Sequence, residues 1–491
     1  MLTEALRLFE ADKDSIELAY RWAAAQAGSD PKVAQICCSS YEAGNRLLYI
    51  RLHPVEHVRW AESALNAARL IADKKSERAC VTGLGIVQNA LGNFSSGMKL
   101  LQQALEMARE SGDRSAEATA LGNLGMMYTK LGDPERAKES HELELQIRGE
   151  SGGRRQRMLA IANLANALAD MGDQAQAITY HEQALALARE SRDRYTEGAL
   201  LGNLGLAHTR LGHHATALDL HRQALAIARE LQDLRTEGYA VRNIGLVLVE
   251  VGPHAEAIAC HERELELARE LNDRYAESEA LANLGWAHYN SGNADKGIEL
   301  GELALNIDRE IGNRTGEGRD SGLLGSCYRL RGDLPRAFEL YEQQLAIALE
   351  RGHERDQADS LFSLANAYIQ QDEDQEAAEY YERAAQLYRK TGAHRDLGDA
   401  LNSLGFAYFK LHEFGRASGC YRECAEIAHQ LGNEFGRAAM LVNQASTLIE
   451  MNERTEAIKL FEAAHDIFER LNSNQAVEIR NLLDELNAQE T

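Results

Sequence analysis

Four histidines, His141, His181, His221 and His261, stand 40 residues apart in a 491-residue chain. Imidazole is a common metal ligand, but a zinc ion needs its ligands about 2 Å away. Equivalent positions of stacked repeats lie one or two helix spacings of roughly 8–10 Å apart. Two successive histidines therefore do not share an ion. Tyr341, Tyr381, Tyr421 and Phe461 continue the same column, so histidine is expected to replace a packing aromatic, with a pH response of buried imidazole as the second reading. Cys420 and Cys424 lie one helical turn apart with His429 near. Two sulfurs and one imidazole do not close a metal site, and small core cysteines are expected.

A second column is polar: Asn123, Asn163, Asn203, Asn243 and Asn283, then Leu323, Ser363, Ser403 and Asn443. Asparagine forms helices only moderately well, so its recurrence asks for a reason. An amide both donates and accepts, matching a peptide bond. Either the column bonds a ligand's main chain, or it ties one repeat to the next. Arg210, Arg242 and Arg319 are expected near the same face, where they would pair carboxylates or remain solvated. Trp286 and Tyr289 would form an apolar anchor or simply pack. The sequence holds no His-Glu-x-x-His or Cys-x-x-Cys, and no enzymatic activity is expected.

What must position these columns is a repeat. Leu121-Gly-Asn-Leu-Gly125 returns as Leu201-Gly-Asn-Leu-Gly205 and Leu281-Ala-Asn-Leu-Gly285, with Ile161-Ala-Asn-Leu-Ala165 and Val241-Arg-Asn-Ile-Gly245 between. A fixed period of 20–50 residues is the signature of a solenoid, which grows beyond ordinary domain size because each repeat buries surface only against its neighbours. Each unit carries two helical patterns, roughly 114–131 and 134–151 in one case. Gly132 suits a left-handed helix end, Asp133 a cap and Pro134 a first helical position. Leu84, Leu124, Leu164 and Leu204 build the stack, and the small residues Gly85, Gly125, Ala165, Gly205 and Gly245 are expected to let a neighbouring helix approach. Ala137, Ala177, Ala217 and Ala257 do the same in second helices.

Residues 1–80 read as an irregular helical cap, with helices over 15–26, 31–51 and 55–72 and one degenerate repeat. Residues 81–473 read as ten 40-residue repeats, and 474–491 as a capping helix. Proline is scarce, at 5 residues, as suits an all-helical chain. The formal charge is −23, from 76 acidic and 53 basic side chains. That balance argues against nucleic acid and anionic membrane as partners; it suits a solvated acidic surface or the steering of a basic partner. Seven cysteines make no disulfide framework. With no signal peptide or apolar run of about 20 residues, a cytoplasmic location is expected.

Leu404-Gly405-Phe406-Ala407-Tyr408, followed by Ala417 and Tyr421, resembles the tetratricopeptide repeat (TPR), as does the Leu131-Gly132-Asp133 turn. The 40-residue version, with Ala268-Arg-Glu-Leu-Asn-Asp-Arg274, resembles Pins/LGN-type adaptors and the TPR arrays of bacterial STAND NTPases. Arg51-Leu-His-Pro54 and Trp60-Ala-Glu-Ser-Ala-Leu65 resemble the segment joining ATPase to repeats in the latter class, although no Gly-x-x-x-x-Gly-Lys-Ser/Thr is present. The resemblance implies an all-α, right-handed superhelical solenoid whose first helices line a concave groove. It implies a scaffold or sensor that binds an extended peptide of a partner protein along Asn123, Asn163, Asn203, Asn243 and Asn283, with Arg210 and Arg242 beside them. The alternative is a regulatory subunit controlling a separate effector enzyme, a STAND ATPase or a protease. No cofactor or metal is expected.

Overall fold

The structure, a computed structural model, describes residues 2–51 and 54–488. Among them are helices and turns but no strand. Three helices come first: α1 (Leu2–Gln26), α2 (Pro31–Arg51) and α3 (Pro54–Leu70). Helix α1 starts well before the expected Ser15, because residues 2–14 contain neither proline nor glycine to stop it. Two-helix repeats then run from α4 (Lys74–Ala90) and α5 (Phe94–Glu110) to α22 (Glu434–Glu450) and α23 (Arg454–Arg470), before α24 (Gln475–Ala488). The repeat register is already in force at Asp73, whose side chain caps α4 by accepting from the Lys75 and Ser76 N–H groups.

The chain divides into two compact units, residues 1–231 and 232–491. In the first unit the repeats use first helices α4, α6 (Arg114–Lys130), α8 (Arg154–Asp170) and α10 (Arg194–Arg210). Their partners are α5, α7 (Pro134–Ser151), α9 (Gln174–Glu190) and α11 (His214–Glu230). The second unit opens on α12 (Leu234–Val251) and α13 (His254–Glu270), α14 (Arg274–Asn290) and α15 (Ala294–Ile311), α16 (Arg314–Arg331) and α17 (Leu334–Arg351), α18 (Glu354–Gln370) and α19 (Asp374–Thr391). Its core is a succession of clusters handed from repeat to repeat; Leu281, Leu284, Leu300, Leu305 and Leu324 form one of them.

Every twentieth residue from Ala72 to Asn472 adopts a left-handed conformation, with the single exception of Gly152, at φ −84°. Gly132, at φ +72°, is typical. An aspartate follows at many joints; Asp193, Asp233 and Asp273 each accept from a first-turn N–H.

The small column serves a purpose the sequence did not show. A Cβ on Gly125, Gly205 or Gly245 would stand 2.4–2.6 Å from the ring of His141, His221 or His261, on the second helix of the same repeat. Gly325 and Gly405 receive Tyr341 and Tyr421 in the same way. What comes close is a ring, and the two columns form one lock. Where the ring is absent, at Leu101 and Gly301, the helices themselves meet: Gly85 faces Gly97 and Gly285 faces Gly297. The histidines accordingly sit at 0–2% exposure.

Candidate peptide-binding face

The two sides of each stack differ. Successive first helices approach one another directly, α4 to α6 to α8 to α10 in the first unit and α12 to α14 to α16 to α18 in the second; successive second helices come nowhere as near. First helices therefore lie on the inner, more crowded side of each unit. Helical periodicity gives each of them an exposed stripe on that side. In α10 it runs through Tyr195, Ala199, half-buried Asn203, Leu206 and Arg210.

The asparagine column lies along this stripe, half-buried in every repeat from Asn123 to Asn283, but its members differ. Asn123 Nδ2 donates to the Thr119 carbonyl of its own helix at 2.8 Å. Asn203 Nδ2 donates to Asn166 Oδ1 on the preceding first helix at 3.1 Å. Asn283 lies 3.4 Å from both oxygens of Glu264. Neither Asn163 nor Asn243 makes a side-chain hydrogen bond among the described residues.

The arginines are engaged. Arg210 Nη1 donates at 3.2 Å to the Ala169 carbonyl, joining α10 to the end of α8. Arg242 is clamped by Glu264 at 2.6 Å and Glu279 at 2.7 Å. Arg319 bonds two fully buried carboxylates, Asp308 at 3.1 Å and Asp320 at 3.0 Å. Burial pushes the Asp320 carboxyl up to about 7 against the opposing effect of Arg319. The guanidiniums of Arg242 and Arg319 shape the inner side from within, whereas Arg210 stands exposed on it. Trp286 meets Tyr289 edge-on at 5.4 Å and lines, with Gly318, Gly322, Asp356 and Asp359, a cleft of about 380 Å³.

Sequence reasoning missed the apolar part of the stripe. Met126, Leu206 and Leu246, each three residues beyond an asparagine, are 40–45% exposed, and Tyr195, Tyr239 and Tyr275 are more than half exposed. The recurrence of Leu206 and Leu246 at the repeat period was the available signal. Among the described residues no three His, Cys, Asp or Glu side chains converge as a metal site, and no helix is long and apolar enough to cross a membrane.

Two-helix repeats with a ring-on-glycine lock and first helices on the inner side define a helical-repeat protein. The tetratricopeptide repeat model matches residues 77–150, 157–230, 238–310 and 320–390, and the chain belongs to the tetratricopeptide repeat family. No curated protein sequence matches it. Among solved structures it is similar to a Rap protein complexed with Competence and Sporulation Factor, at TM-score 0.52 and 16% identity over 73% of this chain and 99% of that one. It is similar also to the apo form of the quorum sensor NprR from B. thuringiensis, at TM-score 0.51 and 18% identity over 70% of this chain and 99% of that one. A STAND protein with a tetratricopeptide repeat sensor from Pyrococcus horikoshii overlaps at TM-score 0.46 and 16% identity, over 74% of this chain and 55% of that one.

Proposed function

We propose that the inner face of the first helices binds an extended segment of a partner protein, and that the chain acts as an interaction scaffold or sensor rather than as a catalyst. The observation that carries this reading is the pairing of half-buried amides with exposed apolar side chains one turn away, as in Asn203 with Leu206 and Asn243 with Leu246. Amides suit a ligand's main chain, and the apolar residues give its side chains area to bury. The unengaged amides of Asn163 and Asn243 are the ones we expect to reach the ligand, while Asn203 both ties α10 to α8 and borders the stripe. Arg210 and Arg242 act as supports, fixing the helices that carry it. The Rap protein and NprR, one complexed with a factor and the other a quorum sensor, are relatives in fold whose roles accord with this class of function.

The test replaces Asn163, Asn203 and Asn243 together by alanine and measures capture of a partner identified by co-purification with the wild-type chain. Retention should fall at least tenfold, with helical content unchanged. A well-folded triple variant that binds as before would sink the reading.

A further inference from the structure

The cleft beside Trp286 is built from departures from the repeat. Position 344 holds glutamine between the buried Ala304 and Ala384, and position 388 holds tyrosine between the buried Ala348 and Ala428. Position 286 holds tryptophan where Leu206 and Leu246 stand in earlier repeats. The resulting volume of about 380 Å³ falls within the range of roughly 300–1,000 Å³ typical of small-molecule sites. The cleft reaches past the first helices to Ile347 and Ala348 on α17, both buried, and so goes deeper than the exposed stripe.

Its charges do not cancel. Arg319 is taken by Asp308 and Asp320, and Arg351 by Asp356 at 2.8 Å. Asp359 makes no ion pair among the described residues. Its Oδ1 accepts from the Tyr388 hydroxyl at 2.6 Å, while its Oδ2 has no hydrogen-bond donor among the described residues. Tyr388 is buried, so its ring acts as a strut that fixes this carboxylate at the cleft wall. Desolvation raises the Asp359 carboxyl, as expected of a charge that lacks a cation.

Two neighbours of Asp359 also lack partners. Gln344 Oε1 is buried with no hydrogen-bond donor, a state that native interiors rarely hold. Its amide lies against Gly322, where a Cβ would come within 2.8–2.9 Å of it. The terminal torsion of glutamine is broad and roughly two-fold, so rotation about it presents that oxygen to the cleft. Trp286 carries no cation among the described residues, whereas Tyr128, Tyr328, Tyr380 and Tyr408 each have an arginine over the ring, at 3.9–5.4 Å. Indole is the best of the aromatic rings for that contact. A carboxylate, an amide oxygen and an indole face thus complement one chemistry.

We propose that the cleft binds a small organic cation bearing N–H donors, an alkylammonium or alkylguanidinium, as a free ligand. Its N–H groups donate to Asp359 Oδ2 and Gln344 Oε1, and its charge lies against the Trp286 ring. The depth and volume of the cleft suit a whole molecule rather than one side chain of a bound segment. The site lies within the second unit, does not depend on the peptide-binding reading above, and gives the chain a chemical signal of its own to sense.

The test is isothermal titration calorimetry on the full chain with agmatine, tetramethylammonium and butyrate as probes. Agmatine should bind saturably, tetramethylammonium, which has no N–H, about tenfold more weakly or worse, and butyrate not at all. Asp359→Asn keeps an oxygen for Tyr388 and should weaken agmatine about tenfold or more, the worth of a hydrogen bond to a charged group. Trp286→Leu, which installs the residue found at 206 and 246, should weaken it as well. Gln344→Ala should weaken binding without lowering the melting temperature of the free chain, because it installs the residue buried at 304 and 384. No binding of agmatine, equal binding of tetramethylammonium, or full affinity in D359N would overturn the proposal. Tighter binding of a capped pentapeptide with a central arginine than of agmatine would also overturn it, by making the cleft part of the peptide groove. Failure with agmatine would leave the asparagine face of α8, α10 and α12 standing.

Discussion

At the scale of single residues, the buried histidine column makes the chain sensitive to acid. Burial pushes His181 and His221 down to about 4. The folded chain therefore holds these rings neutral, whereas the unfolded chain protonates them near 6.5. Their stabilisation is complete above pH 6.5 and is lost as the pH falls towards 4, by on the order of 3 kcal/mol for each ring. Melting temperatures measured from pH 7.5 to pH 4 should fall, and the fall should shrink in the variant H181F/H221F, since Phe461 shows that the column accepts that ring. Adding a methyl to the floor of the lock tests its geometry. Gly205→Ala places a Cβ 2.4 Å from the His221 ring and should cost about 1–3 kcal/mol by overpacking, read from urea unfolding. Much of that loss should be recovered in G205A/H221A. The two columns were each legible in the sequence, but their union was not. Residues 125 and 141 face one another only once the turn between the two helices has set their angle.

At the scale of the element, the joints between repeats are built from charge. Glu197 is nearly buried and receives Arg189 at 2.9 Å and Arg194 at 2.6 Å. Burial alone would raise its carboxyl, yet the two guanidiniums hold it below the usual carboxylate range. Glu197→Gln should destabilise the first unit by about 1.5–3 kcal/mol, the range for a hydrogen bond to a charged group, measured by urea unfolding at neutral pH. The helix bounds were largely legible, because Gly132, Asp133 and Pro134 are local signals whose effect does not depend on the rest of the fold. The engagement of Arg242 was not. Its carboxylates, Glu264 and Glu279, lie 22 and 37 residues away, a distance that spacing within one helix cannot reveal. The asparagines were legible as a column but not as individuals, since Asn203 and Asn163 differ only in what stands across from them.

At the scale of the whole molecule, the end of the stack needs its own cover. Helix α24 lays Ile479, Leu482, Leu483 and Leu486 against a cluster containing Phe461, Ile467 and Phe468. A chain ending at residue 474 should expose that surface, lose amide-exchange protection in α22 and α23, and leave the residue 1–231 unit as protected as before, because stacked repeats depend chiefly on their neighbours. Equal loss of protection in the first unit would show a cooperativity that nearest-neighbour stacking does not supply.

The lock between Gly205 and His221 closes inside one 40-residue period, while the clamp of Arg189 on Glu197 joins one period to the next by the same pair that recurs at Arg109–Glu117 and Arg269–Glu277. The periods that carry both are thus interchangeable cassettes, with an internal fastening and a shared form of coupling. Cutting out or copying one such period preserves both, so that part of the array can change length in a single genetic step without any side chain having to be rewritten.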